Sequence, residues 1–319
     1  MSDRHTQNPL ISLILPVHNE VLSLPAFFAA IDQKLAGLKL ELLFIDDGSS
    51  DETVSYLRQA EQQDDRIRVI KFSRNFGKEA GLTAGLDHCR GDVAIPVDVD
   101  LQDPIEVIHD FIAKWREGYD IVHGVRTDRS DDSPFKRISA TRYYWLFNAV
   151  SDLKMVPHSG DFRLLDRKAI EALKRLPERV RFMKGLFTWV GFRAAEVHYR
   201  RAKRTSGISK FNTTKLLRFG LDGLISFSSL PIRIWSVIGM MIAIPALTFM
   251  IYIIFKTLIL GVDVPGYASL VTITLFLGGI QLITLGIIGE YVGRIFTEVK
   301  ARPVYIIEEQ IEHLDDAKN

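Results

Sequence analysis

Asp98-Val99-Asp100-Leu101-Gln102-Asp103-Pro104 is the stretch whose reading decides the fold. It follows the short apolar run Val93-Ala94-Ile95-Pro96-Val97, which has the length and composition of a buried strand. Carboxylates leaving a strand end place oxygen ligands at the carboxyl edge of a sheet, and open α/β sheets bind their ligands along that edge. Asp98 and Asp100 are two residues apart, and Gln102 continues the alternation with a neutral oxygen. Such a set suits Mg²⁺ or Mn²⁺, which take oxygen donors, retain water and bind substrate phosphates. A bare Asp-x-Asp is equally compatible with a solvated acidic turn, so the surrounding chain has to decide.

Working outward, the same pattern recurs. Leu10 to Val17 is an apolar run ending in His18-Asn19-Glu20, and Leu40 to Ile45 ends in Asp46-Asp47-Gly48-Ser49-Ser50-Asp51. Arg66 to Phe72 ends in Ser73-Arg74-Asn75-Phe76-Gly77-Lys78, and a further strand is expected at Asp120 to Val125. Helical spacing fills the intervals: about Pro25–Leu35, Glu52–Gln62, Lys78–Cys89 and the stretch up to Gly118. Strands alternating with helices at this interval predict a parallel, doubly wound α/β sheet. Several strand ends thus deliver polar groups to one edge. The first strand–helix turn is not G-x-G-x-x-G, and no G-x-x-x-x-G-K-[ST] loop occurs, which argues against a dinucleotide oxidoreductase and a P-loop nucleotidase. Gly77, Gly81 and Gly85 recur on one helix face and predict close helix–sheet packing.

Composition agrees. The 319 residues are 47% apolar, enough for a core, and a net charge of +1 gives no bulk attraction to nucleic acid. A lone cysteine, Cys89, excludes an internal disulfide framework. Met1 to Pro9 is polar and lacks the apolar core of a signal peptide.

The apolar residues crowd into the last third. Ile234 to Phe255 carries no charge over about 22 residues, enough to cross roughly 30 Å of hydrocarbon. Tyr267 to Gly289 is a second such run. Arg218 and Arg233 precede the pair and Arg294, Lys300 and Arg302 follow it, so the positive-inside rule predicts a membrane hairpin with both termini cytoplasmic. Residues 134–150 and 211–231, mixing aromatics with Lys and Arg, are expected to lie at the membrane interface. The expected division is therefore a catalytic domain at 1–210, two spans at about 234–256 and 267–290, and a tail at 293–319. A strand is expected at Pro303 to Ile307, with a loose acidic end after it. Gly278, Gly279, Gly286 and Gly289 permit close helix approach and homo-oligomers.

Pro16-Val-His-Asn-Glu20, Asp46 to Asp51, Arg74 to Lys78, Asp98 to Pro104 and Ser159-Gly-Asp-Phe-Arg163 resemble the motifs of family 2 glycosyltransferases of the GT-A fold. Together with the basic run Arg201 to Lys210 and the membrane tail, they are similar to polyprenyl-phosphate glycosyltransferases, which include dolichol-phosphate mannose synthases and bactoprenol glucosyltransferases. The resemblance implies a UDP-sugar donor, a divalent metal at Asp98, Asp100 and Gln102, and an undecaprenyl or other polyprenyl phosphate acceptor. It also implies an enzyme of the bacterial inner membrane that modifies envelope polysaccharide. Pro16, Glu20, Asp47, Lys78, Asp98, Val99, Arg126, Arg201 and Lys210 are the expected nucleotide-sugar contacts. Arg137, Arg142, Arg204 and Ser209 are expected at the acceptor phosphate, because arginine forks suit phosphate. Asp161 matches the family's aspartate near the acceptor; orienting it, touching the sugar and acting as base all stay open. Glucose from UDP-glucose is the expected donor, with mannose, N-acetylhexosamine and aminoarabinose derivatives as alternatives. A processive polysaccharide synthase would carry Gln-x-x-Arg-Trp, and no Arg-Trp pair occurs here. An inactive scaffold is disfavoured by the intact Asp98, Asp100 and Asp161.

Overall fold

The computed structural model describes residues 4, 8–127, 159–179, 181–200, 238–242, scattered positions from 244 to 259, and 266–312. Its centre is an eight-stranded sheet in the order β7-β5-β6-β4-β1-β2-β3-β8. The strands are β1 (Leu10–Val17), β2 (Lys39–Asp46), β3 (Ile67–Phe72), β4 (Val93–Pro96), β5 (Ile121–Arg126), β6 (Ser159–Asp166), β7 (Ala194–Tyr199) and β8 (Ile307–Ile311). Strands β3-β2-β1-β4 run parallel, joined by helices α1 (Leu24–Lys34), α2 (Thr53–Glu61) and α3 (Lys78–His88). Helix α4 (Val107–Arg116) follows β4, and α5 (Arg167–Lys174) and α6 (Met183–Trp189) follow β6.

Near-continuous apolar strands such as Leu10–Val17 are buried on both faces, which is what a parallel sheet covered by helices requires. One face packs Phe27, Ile31, Phe44, Phe111 and Trp115, and the other Ile14, Ile45, Phe72, Leu82 and Phe187. The glycines of α3 divide in role. A Cβ on Gly85 would sit 2.1 Å from Ile14 Cγ2 and one on Gly81 3.3 Å from Pro16 Cβ, so these two let α3 lie against β1 as expected. Gly77 has open space around it; its φ of +96° is what favours glycine there.

Two expectations are corrected. The sheet is mixed, not parallel throughout: β6 inserts antiparallel between β4 and β5, and β8 runs antiparallel to β3. The apolar pattern of a strand reads the same in either direction, so a parallel and an antiparallel partner cannot be told apart from the run alone. The C-terminal strand is Ile307–Ile311, later than the expected Pro303 to Ile307, and the acidic segment is not loose over that span. Arg58 binds Glu309, Lys71 binds Glu308, and Arg68 and Arg90 both reach Glu312. Four basic partners on the sheet edge turn an acidic tail into an edge strand, which also covers the open side of β3.

Helix α7 (Tyr267–Lys300) runs 34 residues, about 51 Å at the standard rise. Its segment Phe276–Lys300 is long and apolar enough to span a membrane and has no buried residue. The helix continues past the expected end near residue 290, and Glu298 accepts the backbone N–H of Arg179, which ties the helix to the loop between α5 and α6. The described residues between 238 and 259, on the first expected span, are helical. The interfacial stretches 134–150 and 211–231 lie outside the described residues.

Candidate active site

The carboxyl ends of β1 to β4 meet in a run of interlocked loops. Asn19 adopts a left-handed conformation (φ 56°), and its side-chain oxygen accepts from the Ser50 and Asp51 backbone N–H groups. Glu20 accepts from Ser23 Oγ at the start of α1. Gly48 has φ +68°, and a Cβ there would lie 2.7 Å from the backbone of Arg74 and Asn75; the second and third loops touch through it. Asp47 is buried and spans the same junction, its two oxygens accepting from the Phe76 and Gly77 N–H groups at 2.6 and 2.9 Å. Burial raises its carboxyl above the usual range against the pull of those two amides. Asp47, expected at the nucleoside, therefore already holds the loop that presents Lys78.

In the central motif, Leu101 takes a left-handed φ of 55°, a conformation costing about 1–2 kcal/mol for a residue with a Cβ. That turn lets Asp100 accept from the Gln102 N–H at 3.2 Å. Gln102 and Val99 are buried, Val99 within the core, so its backbone is what it offers a ligand. Asp98 is partly exposed and lies 2.7 Å from Lys78 Nζ.

Asp161 is brought here by the reversal of β6. Because β6 runs against β4 and β5, its first residues stand at the edge where the parallel strands end. Val93 faces Asp166 and Ala94 faces Leu165, so the same register, continued past the strand end, sets Asp98 across from Asp161. Lys78 Nζ closes the gap, 3.1 Å from Asp161 Oδ2. Burial opposes the charge on Asp161, yet Lys78, Lys184 and Arg163 hold its carboxyl below the usual range. Its Oδ1 is buried with no hydrogen-bond partner among the described residues.

Arg126 stands at the end of β5 beside Gly160, 3.5 Å from Asp103, and Asp103 accepts from Tyr199 Oη at 2.7 Å. Expected residues Pro16, Glu20, Asp47, Lys78, Asp98, Val99, Asp100, Gln102, Arg126 and Asp161 thus all fall on strand ends, loops or, for Lys78, a helix start at one edge. Arg137, Arg142, Arg201, Arg204, Ser209 and Lys210 lie outside the described residues.

Four further residues emerge only in three dimensions. Arg163, 1% exposed, donates to the Gly160 carbonyl and stacks on Phe187. Lys184 on α6 faces Asp161, and Tyr199 anchors Asp103. Glu79 accepts the Met183 N–H at the start of α6, and burial together with the charge of Asp161 pushes its carboxyl up to about 7. Arg163 stands inside a motif already singled out; the others carry no sequence signal.

A Rossmann-like sheet with paired aspartates at its carboxyl edge presents oxygen ligands where open α/β sheets bind their substrates. The chain belongs to glycosyl transferase family 2, whose pattern matches residues 12–174. It is 47% identical over 301 residues to the uncharacterized glycosyltransferase sll0501 of Synechocystis, covering 94% of this chain and 95% of that one. It is 48% identical over 300 residues to the SfII prophage-derived bactoprenol glucosyl transferase of Shigella flexneri, covering 93% and 97%. Among solved structures, glucosyl-3-phosphoglycerate synthase from Mycobacterium tuberculosis, complexed with Mn²⁺, UDP and phosphoglyceric acid, is 19% identical at a TM-score of 0.46. It covers 67% of this chain and 75% of that one, and the likeness is weak.

Proposed function

We propose that this chain transfers glucose from UDP-glucose to a polyprenyl phosphate, undecaprenyl phosphate in bacteria, at the cytoplasmic face of the inner membrane. The observation that carries this reading is the meeting of Asp98, Asp100, Asp161, Lys78 and Arg126 at one sheet edge, in a chain 46–48% identical to several relatives named bactoprenol glucosyl transferase.

The donor set fits a divalent cation. Asp98 and Asp100 offer only oxygen, and their edge already holds a positive charge, the Lys78 ammonium, against Asp98. Among the described residues no group of three or more acidic, His or Cys side chains is placed to hold a metal ion, so Gln102, diphosphate and water would have to complete the shell around Asp98 and Asp100. Bound there, Mg²⁺ or Mn²⁺ would neutralise charge on the departing diphosphate. The protein groups do the rest. Pro16, Glu20, Asp47 and Val99 would bind the nucleoside end, and Arg126, Arg201 and Lys210 would bind the diphosphate. Arg137, Arg142, Arg204 and Ser209 would receive the acceptor phosphate. That acceptor is already an oxyanion at neutral pH, so it needs less help from a base than relief from anion–anion repulsion. Asp161, held charged by Lys78, Lys184 and Arg163, is suited to positioning and poorly suited to taking a proton. A single displacement would invert the anomeric carbon. The spans at about 234–256 and 267–290 would hold the edge over the bilayer.

The test is UDP release by the full-length protein in detergent micelles. Turnover should require both divalent cation and polyprenyl phosphate, and UDP-glucose should outperform other nucleotide sugars. Release independent of the lipid phosphate would overturn the reading.

A further inference from the structure

Lys78 is shared. Its ammonium lies 2.7 and 3.0 Å from the oxygens of Asp98 and 3.1 Å from Asp161, joining two carboxylates that stand on neighbouring strand ends. Three features keep it there. Gly77, with φ +96°, turns the chain into α3; Asp47 pins the Gly77 N–H; and Gly81 and Gly85 seat α3 against β1. Without a cation between them, Asp98 and Asp161 would repel each other across the register. The other charges facing the group are Glu79 on α3 itself, Lys184 on α6, Arg163 on β6 and Arg126 at the end of β5; Lys184 and Arg163 lie toward Asp161, and Arg126 toward Asp98.

We propose that Lys78 is a positioning residue that links the two halves of the site, holding Asp98 and Asp161 together in the resting enzyme and giving up Asp98 to the cation–diphosphate donor. Released from Asp98, the ammonium remains on Asp161, which it keeps charged and in place beside the acceptor. Donor binding thereby prepares the acceptor side. This rests on the glycosyl-transfer reading and adds to it a competition between one lysine and the divalent cation for Asp98.

The competition gives effects of opposite sign in substrate-free protein. Mn²⁺ binding by the full-length chain in micelles, followed by titration calorimetry, should be about threefold tighter in Lys78→Met, the size of effect a half-exposed ion pair supports. It should be weaker than wild type in Asp161→Asn, where Lys78 is left to Asp98 alone. The double variant should match Lys78→Met, since Asp161 acts here only through the lysine. Turnover should fall in Lys78→Met and recover in part in Lys78→Arg. Unchanged or weaker Mn²⁺ binding in Lys78→Met, or unchanged binding in Asp161→Asn, would overturn the proposal. A wild type that binds no Mn²⁺ would sink the metal site along with it. Wild-type turnover that fails while the opposed binding shifts appear would sink only the assigned reaction.

Discussion

The two ends of the central sheet handle buried charge differently. At the amino end, Glu41 is buried and fully engaged: it accepts from Ser12 Oγ, the Arg90 N–H and Arg68, while Arg68 also donates to Glu312 and the His88 carbonyl. Arg4 likewise bridges Asp120 and Asp166 and lies over Trp115. At the carboxyl end, Asp98 and Asp161 divide one lysine, and Asp161 keeps an unmatched oxygen. The amino end is saturated and structural. Among the described residues the carboxyl end leaves one carboxylate oxygen without a hydrogen bond and two carboxylates on one lysine, room for a cation that the amino end does not offer. A saturated network resists ligands, and an under-matched one invites them.

Substitutions at the two ends should separate activity from stability. Asp100→Ala should lower turnover roughly 1,000-fold or more, as loss of a metal ligand does, while the melting curve stays put. Retained activity would remove the distinction between the ends. Glu41→Ala should do the reverse, costing about 3–5 kcal/mol by leaving Arg68 buried beside an empty partner site, seen as a lower denaturation midpoint. Turnover per folded molecule should hardly change. Gly48→Ala should cost both, because its Cβ meets backbone and its φ is left-handed; about 1–3 kcal/mol and a raised KM for the donor are expected. At the exposed sheet edge, Arg58→Ala should cost under about 1 kcal/mol, since the pair with Glu309 is well solvated.

Glu79 supplies a pH test between these extremes. Its carboxyl rises from 4.5 to about 7 in the folded chain, so the folded state binds the proton more tightly than the unfolded state. Stability should therefore fall as pH rises through the window from about 4.5 to about 7 and level off above it. Thermal melts at pH 5 and 8 should show that drop, and Glu79→Gln should shrink it. An unchanged drop would mean that another group is responsible.

Much of the edge was legible because its parts are local. Apolar runs ending in Asp, Asn, Gly and Lys marked β1 to β4 and their loops, and the motifs around Glu20, Asp47, Lys78 and Asp98 fell where the strands end. Asp161 was legible by resemblance, but its place was not, because strand direction is a pairing property that periodicity does not encode. The tail was misjudged for a related reason. Glu308, Glu309 and Glu312 look solvated in isolation, and only Lys71, Arg58, Arg68 and Arg90, more than two hundred residues earlier, make them an edge.

Sequence alone determined which side chains the loops after β1 to β4 bring to the sheet's carboxyl edge, since apolar runs and turn residues fix where each of those strands stops. Tertiary structure decided how those side chains are shared: which carboxylates are spent on loops, which are saturated at the far end, and that one lysine serves both Asp98 and Asp161. The physical reason is range. Hydrophobic period and turn chemistry act over a few residues, whereas charge pairing acts over a few ångströms, between residues the chain itself keeps far apart.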